Sequence, residues 1–327
     1  MSPPAVGTDM SLYIGTNDGI YRTENVPFDD ADRVLDCGRV AQVDTFVGVD
    51  GVFAATESGL YRSTDGGDRW QSLEVPRTPV WSVLVTADGT YYAGTAPAHL
   101  YRATDNGPTW SEIDSLQEQP SRAAWTSPVG DNARLRTIGA HPETGLLVVG
   151  VEAGKLHISR DDGDTWREQN TLPDDIHHVL VTGPEELVVS TGFLGLDGRD
   201  PGGLYRTLDA GGTWDRLDAG TDRSYFRESI RHDGRLYAAA AGNSPGAWRD
   251  TAGPDAAMYE LMDGRLETIP YPGAPGEVVI AWATAPDTLF AGTAAGPAGR
   301  VVARSDAGDW ISAGTVPTDV RSLAWQP

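Results

Sequence analysis

Cysteine, lysine and long apolar stretches are scarce in this sequence of 327 residues. Cys37 is the only cysteine, which excludes an internal disulfide bond and a metal cluster held by several thiolates. No apolar run approaches the roughly 18 residues that a membrane-spanning helix requires, so we expect no membrane insertion. Residues 1–7 lack the basic and apolar segments of a secretory signal, and we therefore expect a cytoplasmic protein.

Basic residues are also scarce. Acidic residues outnumber basic ones by 47 to 25, the formal net charge is −22, and Lys155 is the only lysine. Nucleic-acid-binding proteins carry a basic stripe that this sequence lacks, so we expect no nucleic-acid partner. A chain of this charge repels itself in dilute salt and is soluble where salt screens the repulsion. The composition resembles that of haloarchaeal proteins. The alternative is an acidic protein of a mesophilic organism.

Common cofactor and catalytic motifs are missing. There is no P-loop and no dinucleotide fingerprint. The segment 242–246 fits G-x-S-x-G by letter, but it lacks the strand–turn–helix context of a nucleophile elbow. His177 and His178 are adjacent on a predicted strand, so their rings point to opposite faces. We therefore expect no cofactor and no bound metal.

An eight-residue repeat is the most informative feature of the chain. Full copies read STDGGDRW from residue 63, ATDNGPTW from 103, SRDDGDTW from 159 and TLDAGGTW from 207, and a shortened copy spans 305–310. The Asp carboxylate can accept backbone N–H groups across a turn, and the Gly can adopt a positive φ. The Trp has enough area to fill a gap between packed sheets. We expect each copy to staple a β-hairpin.

This octet resembles the Asp box, or BNR repeat, of the sialidase-type propellers. In those families the boxes lie on the outer rim, away from the central site. The resemblance implies a structural role for Asp65, Trp70, Asp105, Trp110, Asp161, Trp166, Asp209, Trp214, Asp306 and Trp310.

A second repeat predicts the architecture. Seven alternating apolar segments begin 39 to 55 residues apart, a spacing typical of four-stranded propeller blades. A fourth apolar strand follows each unit, and the last, Val320–Trp325, has no later unit to serve. The sequence predicts an all-β propeller of seven four-stranded antiparallel blades, closed by this strand pairing into blade 1, with six or eight blades as alternatives. We expect one domain over 1–327, with blades near 11–46, 47–85, 86–140, 141–181, 182–231, 232–284 and 285–318, and 319–327 completing blade 1.

Propeller ligands usually bind at one mouth of the central channel, where the innermost strands begin. Aligning these strands by their leading apolar residue gives a ring of second positions, namely Ala41, Trp81, Arg136, His177, Phe226, Val279 and Arg321. Because alternate residues share a face, we expect His178 and Arg227 to point away from this ring. If the alignment is shifted by one residue in two of the blades, Arg134 and Arg227 belong to the ring, so both are kept as candidates. We expect the long segments at 114–132, 192–202 and 242–255 to border this mouth.

The candidate ligand-binding residues are Trp81, Arg136, His177, Tyr225, Arg227, Trp248, Arg249 and Arg321. Arginine, histidine and aromatic side chains at one mouth suit an anionic or sugar-like ligand, and a channel holding only water is the alternative.

Two functions remain open. The Asp-box families include sialidases and other glycosidases, but the Arg-Ile-Pro signature of sialidases is missing, and Tyr225–Glu228 has the residue types without a motif spacing. Among 47 acidic residues, the sequence identifies no catalytic carboxylate pair. The chain-wide pattern is similar to the photosystem II assembly-factor propellers, which hold a partner polypeptide without catalysis. We expect a monomeric, non-catalytic binding or scaffold propeller for an unknown protein or an anionic or sugar-like small ligand, with a carbohydrate-active enzyme as the alternative.

Overall fold

The strands of this protein form a closed ring. A computed structural model describes residues 10–104, 109–127, 130, 132–141, 143–193, 202–251, 253–304 and 308–327. These residues form seven four-stranded antiparallel sheets, which confirms the predicted seven-bladed propeller. Each innermost strand lies against the innermost strands of both neighbouring sheets, and the last of them lies against the first.

The first four blades contain the following strands. Blade 1 has β1 (Ser11–Gly15), β2 (Ile20–Thr23) and β3 (Asp32–Leu35), with β28 (Ser322–Gln326) as its innermost strand. Blade 2 has β4 (Val40–Thr45), β5 (Val52–Thr56), β6 (Gly59–Ser63) and β7 (Gln71–Ser72). Blade 3 has β8 (Val80–Val85), β9 (Tyr91–Thr95), β10 (Leu100–Ala103) and β11 (Ser111–Glu112). Blade 4 has β12 (Leu135–His141), β13 (Leu146–Val151), β14 (Lys155–Ser159) and β15 (Arg167–Glu168).

Three more blades complete the ring. Blade 5 has β16 (Ile176–Val181), β17 (Leu187–Thr191), β18 (Gly203–Thr207) and β19 (Asp215–Arg216). Blade 6 has β20 (Tyr225–His232), β21 (Arg235–Ala241), β22 (Ala256–Met262) and β23 (Arg265–Ile269). Blade 7 has β24 (Val278–Ala285), β25 (Thr288–Ala294), β26 (Gly299–Arg304) and β27 (Trp310–Val316). The helices in the described residues are short 3-10 turns at Asp114–Glu118, Arg122–Ala124 and Pro245–Ala247, and none is long enough to cross a membrane.

The C-terminal strand closes the ring as predicted. β28 pairs antiparallel with β1, with Leu323 opposite Ile14 and Trp325 opposite Leu12. Leu323 and Trp325 are buried in an apolar cluster that joins blade 1 to blade 7. The Trp325 ring stacks on Phe290 of blade 7, with centroids 5.6 Å apart. The innermost strand of each sheet is the last strand of the preceding sequence repeat. The sheets are therefore offset by one strand from the sequence repeats.

The eight-residue repeats form hydrogen-bonded turns. Asp209 accepts the backbone N–H of Thr213 at 2.8 Å and its hydroxyl at 2.9 Å, and the hydroxyl of Thr207 donates to the same carboxylate at 2.7 Å. These donors hold the pKa of Asp209 down at about 2. Gly211 has a φ of +83°, which permits the tight turn without strain. Trp214 then donates its indole N–H to Gln169 of the preceding blade at 3.0 Å. Asp105 and Asp306 lie outside the described residues.

Side chains on the innermost strands also join successive blades. They accept backbone N–H groups from the next innermost strand: Ser322 from Val43 at 3.0 Å, Gln42 from Val83 at 2.8 Å, and Thr137 from Val179 at 3.1 Å. Each acceptor lies two residues after the leading apolar residue of its strand. These bonds hold the innermost strands at a fixed spacing around a central space.

Candidate functional site

The innermost strands enclose a central channel with a volume of about 710 Å³. Residues from all seven of these strands line it, from Arg39 at the end where the strands begin to Phe46 and Pro286 at the other end. The end where the strands begin is called the upper mouth below. The lower end is apolar, and Val47 there is 94% exposed.

A bulge near the start of each strand aims side chains into the channel. In six of the seven innermost strands the pairing register shifts directly after the leading apolar residue. Such a bulge inserts one extra residue and re-aims its side chain. The residues that follow the leading position are Ala41, Trp81, Arg136, His177, Arg227 and Ile280. Arg321 follows Val320 in the same way, directly before β28. All of them except Ile280 line the channel.

The alignment made from sequence is one residue out in β20 and β24. Phe226 and Val279 are fully buried between blades, and Arg227 and Ile280 occupy the positions assigned to them. Each of these strands begins with one additional apolar residue, so hydrophobicity alone does not identify the leading position. The expectation that His178 and Arg227 point away from the channel is also wrong, because both line it. The bulge interrupts the simple alternation of faces on which that expectation rested.

Arginines crowd the upper mouth around one indole ring. Arg39 and Arg134 flank Trp81, with guanidinium carbons 5.1 and 4.3 Å from the ring centroid. Arg136 and Arg321 line the same part of the channel. Cation–π contacts with Trp81 hold two of these positive charges without neutralising them.

Acidic residues neutralise only part of this charge. Glu152, 4% exposed, pairs with Arg134 at 2.9 Å and with Arg136 at 2.5 Å. Among the described residues, Arg39 and Arg227 have no acidic group within ion-pair distance. Burial and the neighbouring charges of Arg321, Arg136 and Arg134 lower the pKa of Arg39 to about 10. The upper mouth therefore holds excess positive charge in a protein whose net charge is −22.

In the described part of the chain, buried polar atoms without a hydrogen-bond partner are concentrated in residues that line this channel. Fifteen buried side-chain nitrogen or oxygen atoms of the described residues lack a hydrogen bond, and seven of them belong to residues that line the channel. Buried donors normally pair with protein or water, so this concentration distinguishes the channel lining from the rest of the described core. The seven atoms are Arg39 Nε, Trp81 Nε1, His178 Nδ1, Arg227 Nε, Ser229 Oγ, Trp282 Nε1 and Trp325 Nε1.

Titratable groups lie deeper in the channel. Glu228 is partly buried and accepts the backbone N–H of Trp282, as its counterparts in other blades do. Burial raises the pKa of Glu228 to about 8, and the nearby charge of Asp44 adds to this rise. Burial also raises the pKa of Asp44 to about 6 and lowers that of His178 to about 4. At neutral pH Glu228 is mostly protonated and so adds little negative charge that would neutralise the arginines, and His178 is neutral.

Replacing Glu228 by Gln is expected to change how stability depends on pH. The folded pKa of Glu228 lies above its ordinary 4.5, so its contribution to stability is complete below about pH 4.5 and is lost as the pH rises through about 8. Gln still accepts the Trp282 N–H but does not ionise. The stability of Glu228→Gln relative to the parent should therefore rise with pH in this window, by at most about 1.4 kcal/mol per pH unit. Urea denaturation at pH 5, 6.5 and 8 measures this, with the exposed Glu267→Gln as control. Parallel pH profiles for parent and Glu228→Gln would contradict the assignment.

Tyr225 and Trp248 pack behind His177, outside the channel lining. His177 donates its Nδ1–H to the Phe226 carbonyl at 2.6 Å, and its Nε2 lies 3.2 Å from Asp175. Tyr225 packs against His177 and Trp248, with ring centroids 4.8 and 5.7 Å apart. Burial raises the pKa of Tyr225. Tyr225 and Trp248 are nearly inaccessible and lie outside the channel lining, so the structure does not bring them to the ligand space.

Arg249 does not reach the channel either. It borders a shallow second cavity of about 520 Å³ beside blade 7 and pairs with Asp319 at 2.8 Å. Of the predicted ligand-binding residues, the channel brings together Trp81, Arg136, His177, Arg227 and Arg321. Sequence reasoning missed Arg39 and Glu152. Arg39 directly precedes the leading residue of β4, a position that the alignment of second positions left out.

Comparisons with known proteins support the fold. No protein-family model matches the chain, and no curated protein matches it significantly. The GH74 enzyme of Niastella koreensis has 15% identity and a TM-score of 0.61, covering 92% of this chain and 46% of its own. The GH74 xyloglucanase of Xanthomonas campestris has 19% identity and a TM-score of 0.60, covering 94% and 47%. This chain thus spans less than half of either enzyme.

A second kind of propeller is also similar. YCF48 bound to a D1 peptide has 16% identity and a TM-score of 0.55, covering 95% of this chain and 88% of its own. At these identities the similarities establish a seven-bladed propeller fold, shared by glycoside hydrolases and by YCF48.

Proposed function

We propose that this chain is a non-catalytic binding propeller that holds an anionic group, of a small ligand or of a partner protein, at the upper mouth of its channel. The observation that carries the proposal is the excess positive charge there. Arg39 and Arg227 have no acidic partner among the residues that the structure describes, and Glu152 pairs with both Arg134 and Arg136. A bound anion would accept charge-assisted hydrogen bonds from these side chains and offset their mutual repulsion.

The donor geometry favours an oxyanion. Arginine presents several N–H donors in a planar fork that matches a carboxylate, phosphate or sulfate group. Trp81 lines the channel beside these arginines, and its indole N–H has no acceptor in the described part of the chain. YCF48 supports the wider reading that a propeller of this size can hold a polypeptide, because it is known with a D1 peptide bound. We further propose that the protein is monomeric and works in the cytoplasm at a high salt concentration. Salt screens partly buried charges, such as those at the mouth, less than it screens surface charges.

A glycoside hydrolase is the second candidate, and the channel carboxyls favour it. Glycosidases need one protonated and one ionised carboxyl across the bond that is cleaved. Glu228 and Asp44 line the same channel, and their pKa values of about 8 and 6 would separate these two states near pH 7. One observation counts against this proposal. Glu228 occupies the same position in its strand as Ser322, Gln42 and Thr137 do in theirs, and those side chains have the structural role of joining successive blades by hydrogen bonds.

Calorimetric titration with citrate and with a hexaglutamate peptide tests the proposal. Saturable binding of at least one probe at one site per chain, at constant ionic strength, is expected, together with no turnover of xyloglucan or sialyllactose. The proposal fails if neither probe binds. It also fails if a glycan is hydrolysed and this activity is lost in both Glu228→Gln and Asp44→Asn, an outcome that would establish the second candidate.

A further inference from the structure

Arg249 links three blades across the upper side of the ring. It belongs to the segment between β21 and β22 of blade 6, and its guanidinium donates to the carbonyls of Ala295 and Gly296 of blade 7 at 3.2 and 3.1 Å. It also donates to both carboxylate oxygens of Asp319 at 2.8 and 3.0 Å. The Arg249 side chain is 59% exposed and lies outside the channel lining, so it does not itself face a ligand in the channel.

Asp319 lies between Arg249 and a channel arginine. Its carboxylate is 3.5 Å from Arg321, a longer separation than either of its contacts with Arg249. Arg321 donates to this carboxylate only at that distance, and its shorter bond runs from Nε to the Asn17 side-chain oxygen at 2.7 Å. Asp319 also accepts the backbone N–H of Ala295 at 3.0 Å and is only 9% exposed. Two arginines therefore compete for one buried carboxylate, and Arg249 makes the shorter contacts.

We infer that Arg249 is a positioning residue that engages Asp319 and thereby leaves the charge of Arg321 available to an anion in the channel. The inference rests on the proposed function and specifies how that site is maintained. A buried carboxylate that loses one cation pairs with another within reach, because an uncompensated buried charge is costly. If Arg249 is removed, Asp319 should pair fully with Arg321 and reduce the positive charge at the mouth.

The inference predicts opposite effects for two partners of one ion pair. Arg249→Gln should weaken citrate binding by at least about 5-fold, the lower end of typical coupling between sites. Asp319→Asn should leave citrate affinity unchanged or raise it, because Asn still accepts the Ala295 N–H without attracting Arg321. The double variant should bind citrate at least as tightly as the parent, and Arg249→Lys should restore part of the affinity. Arg235→Gln is the matched control, since its side chain is equally exposed and pairs with Glu260 away from the channel.

Titration calorimetry on these full-length variants, with urea denaturation to confirm folding, distinguishes a failure of the anion site from a failure of the role of Arg249. If Arg321→Gln does not weaken citrate binding, the proposed anion site itself is wrong. If Arg321→Gln weakens binding, two results overturn the role of Arg249: an affinity of Arg249→Gln equal to that of Arg235→Gln, or losses in both Arg249→Gln and Asp319→Asn. The latter pattern would mean that the ion pair between Arg249 and Asp319 only stabilises the ring.

Discussion

Arg39→Gln is expected to weaken citrate binding by about 10- to 100-fold, because a hydrogen bond to a charged group contributes about 1.5–3 kcal/mol. The Nε of Arg39 has no hydrogen-bond partner among the described residues, and the pKa of this arginine is lowered to about 10. Its replacement leaves no carboxylate unpaired, since none of the described acidic residues lies within ion-pair distance of it. The loss of affinity should therefore report the charge at the mouth and not a disrupted ion pair.

The same substitution is expected to leave stability unchanged or to raise it. Burial and repulsion from Arg321, Arg136 and Arg134 both disfavour the charged form of Arg39, and Gln removes this cost. A variant that binds more weakly but unfolds at a higher urea concentration is typical of a binding site that sacrifices stability. Arg69→Gln is the control, because it removes the same charge from an exposed outer turn. Unchanged citrate affinity in Arg39→Gln would show that the arginines at the mouth do not form the anion site.

The fold could be predicted from the sequence because its information is local and repeated. Each blade repeats an apolar strand at a spacing of 39 to 55 residues, and a turn such as 207–214 is stabilised by bonds within eight residues. The closing strand could be predicted by counting strands, because the last repeat is followed by one extra strand and the first repeat has one strand too few. Pairing of β28 with β1 satisfies both ends.

The site could be predicted only in part, because it depends on contacts between blades. Trp81, Arg136 and Arg321 were found from their place after a leading apolar residue. Glu152 lies after β13 and contacts the arginines only through the folded sheet, so no short-range pattern marks it. The partner of Arg249 is 70 residues away in sequence. That separation explains why Arg249 was assigned to the ligand when it in fact pairs with Asp319.

Leu323→Ala is expected to lower the free energy of unfolding by about 2–5 kcal/mol, the usual cost of truncating a buried leucine. Leu323 is 4% exposed on β28 and shares an apolar cluster with Leu12 of blade 1 and Phe290 of blade 7. Its loss weakens two interfaces at once, because the cluster secures the closing strand and also joins the first blade to the last. Urea denaturation followed by tryptophan fluorescence measures the change, and the exposed Val47→Ala should fall within about 0.5 kcal/mol of the parent.

A leucine of equal burial elsewhere separates ring closure from ordinary core packing. Leu204 is fully buried in the cluster between blades 5 and 6, so Leu204→Ala should lose a similar free energy. Only Leu323→Ala, however, loosens the strand that covers the edge of β1. An uncovered edge presents unpaired backbone groups to other chains, so this variant alone should associate at high protein concentration on size-exclusion chromatography. If both variants elute as the parent does at every concentration, then β28 stays paired with β1 without the packing of the Leu323 side chain.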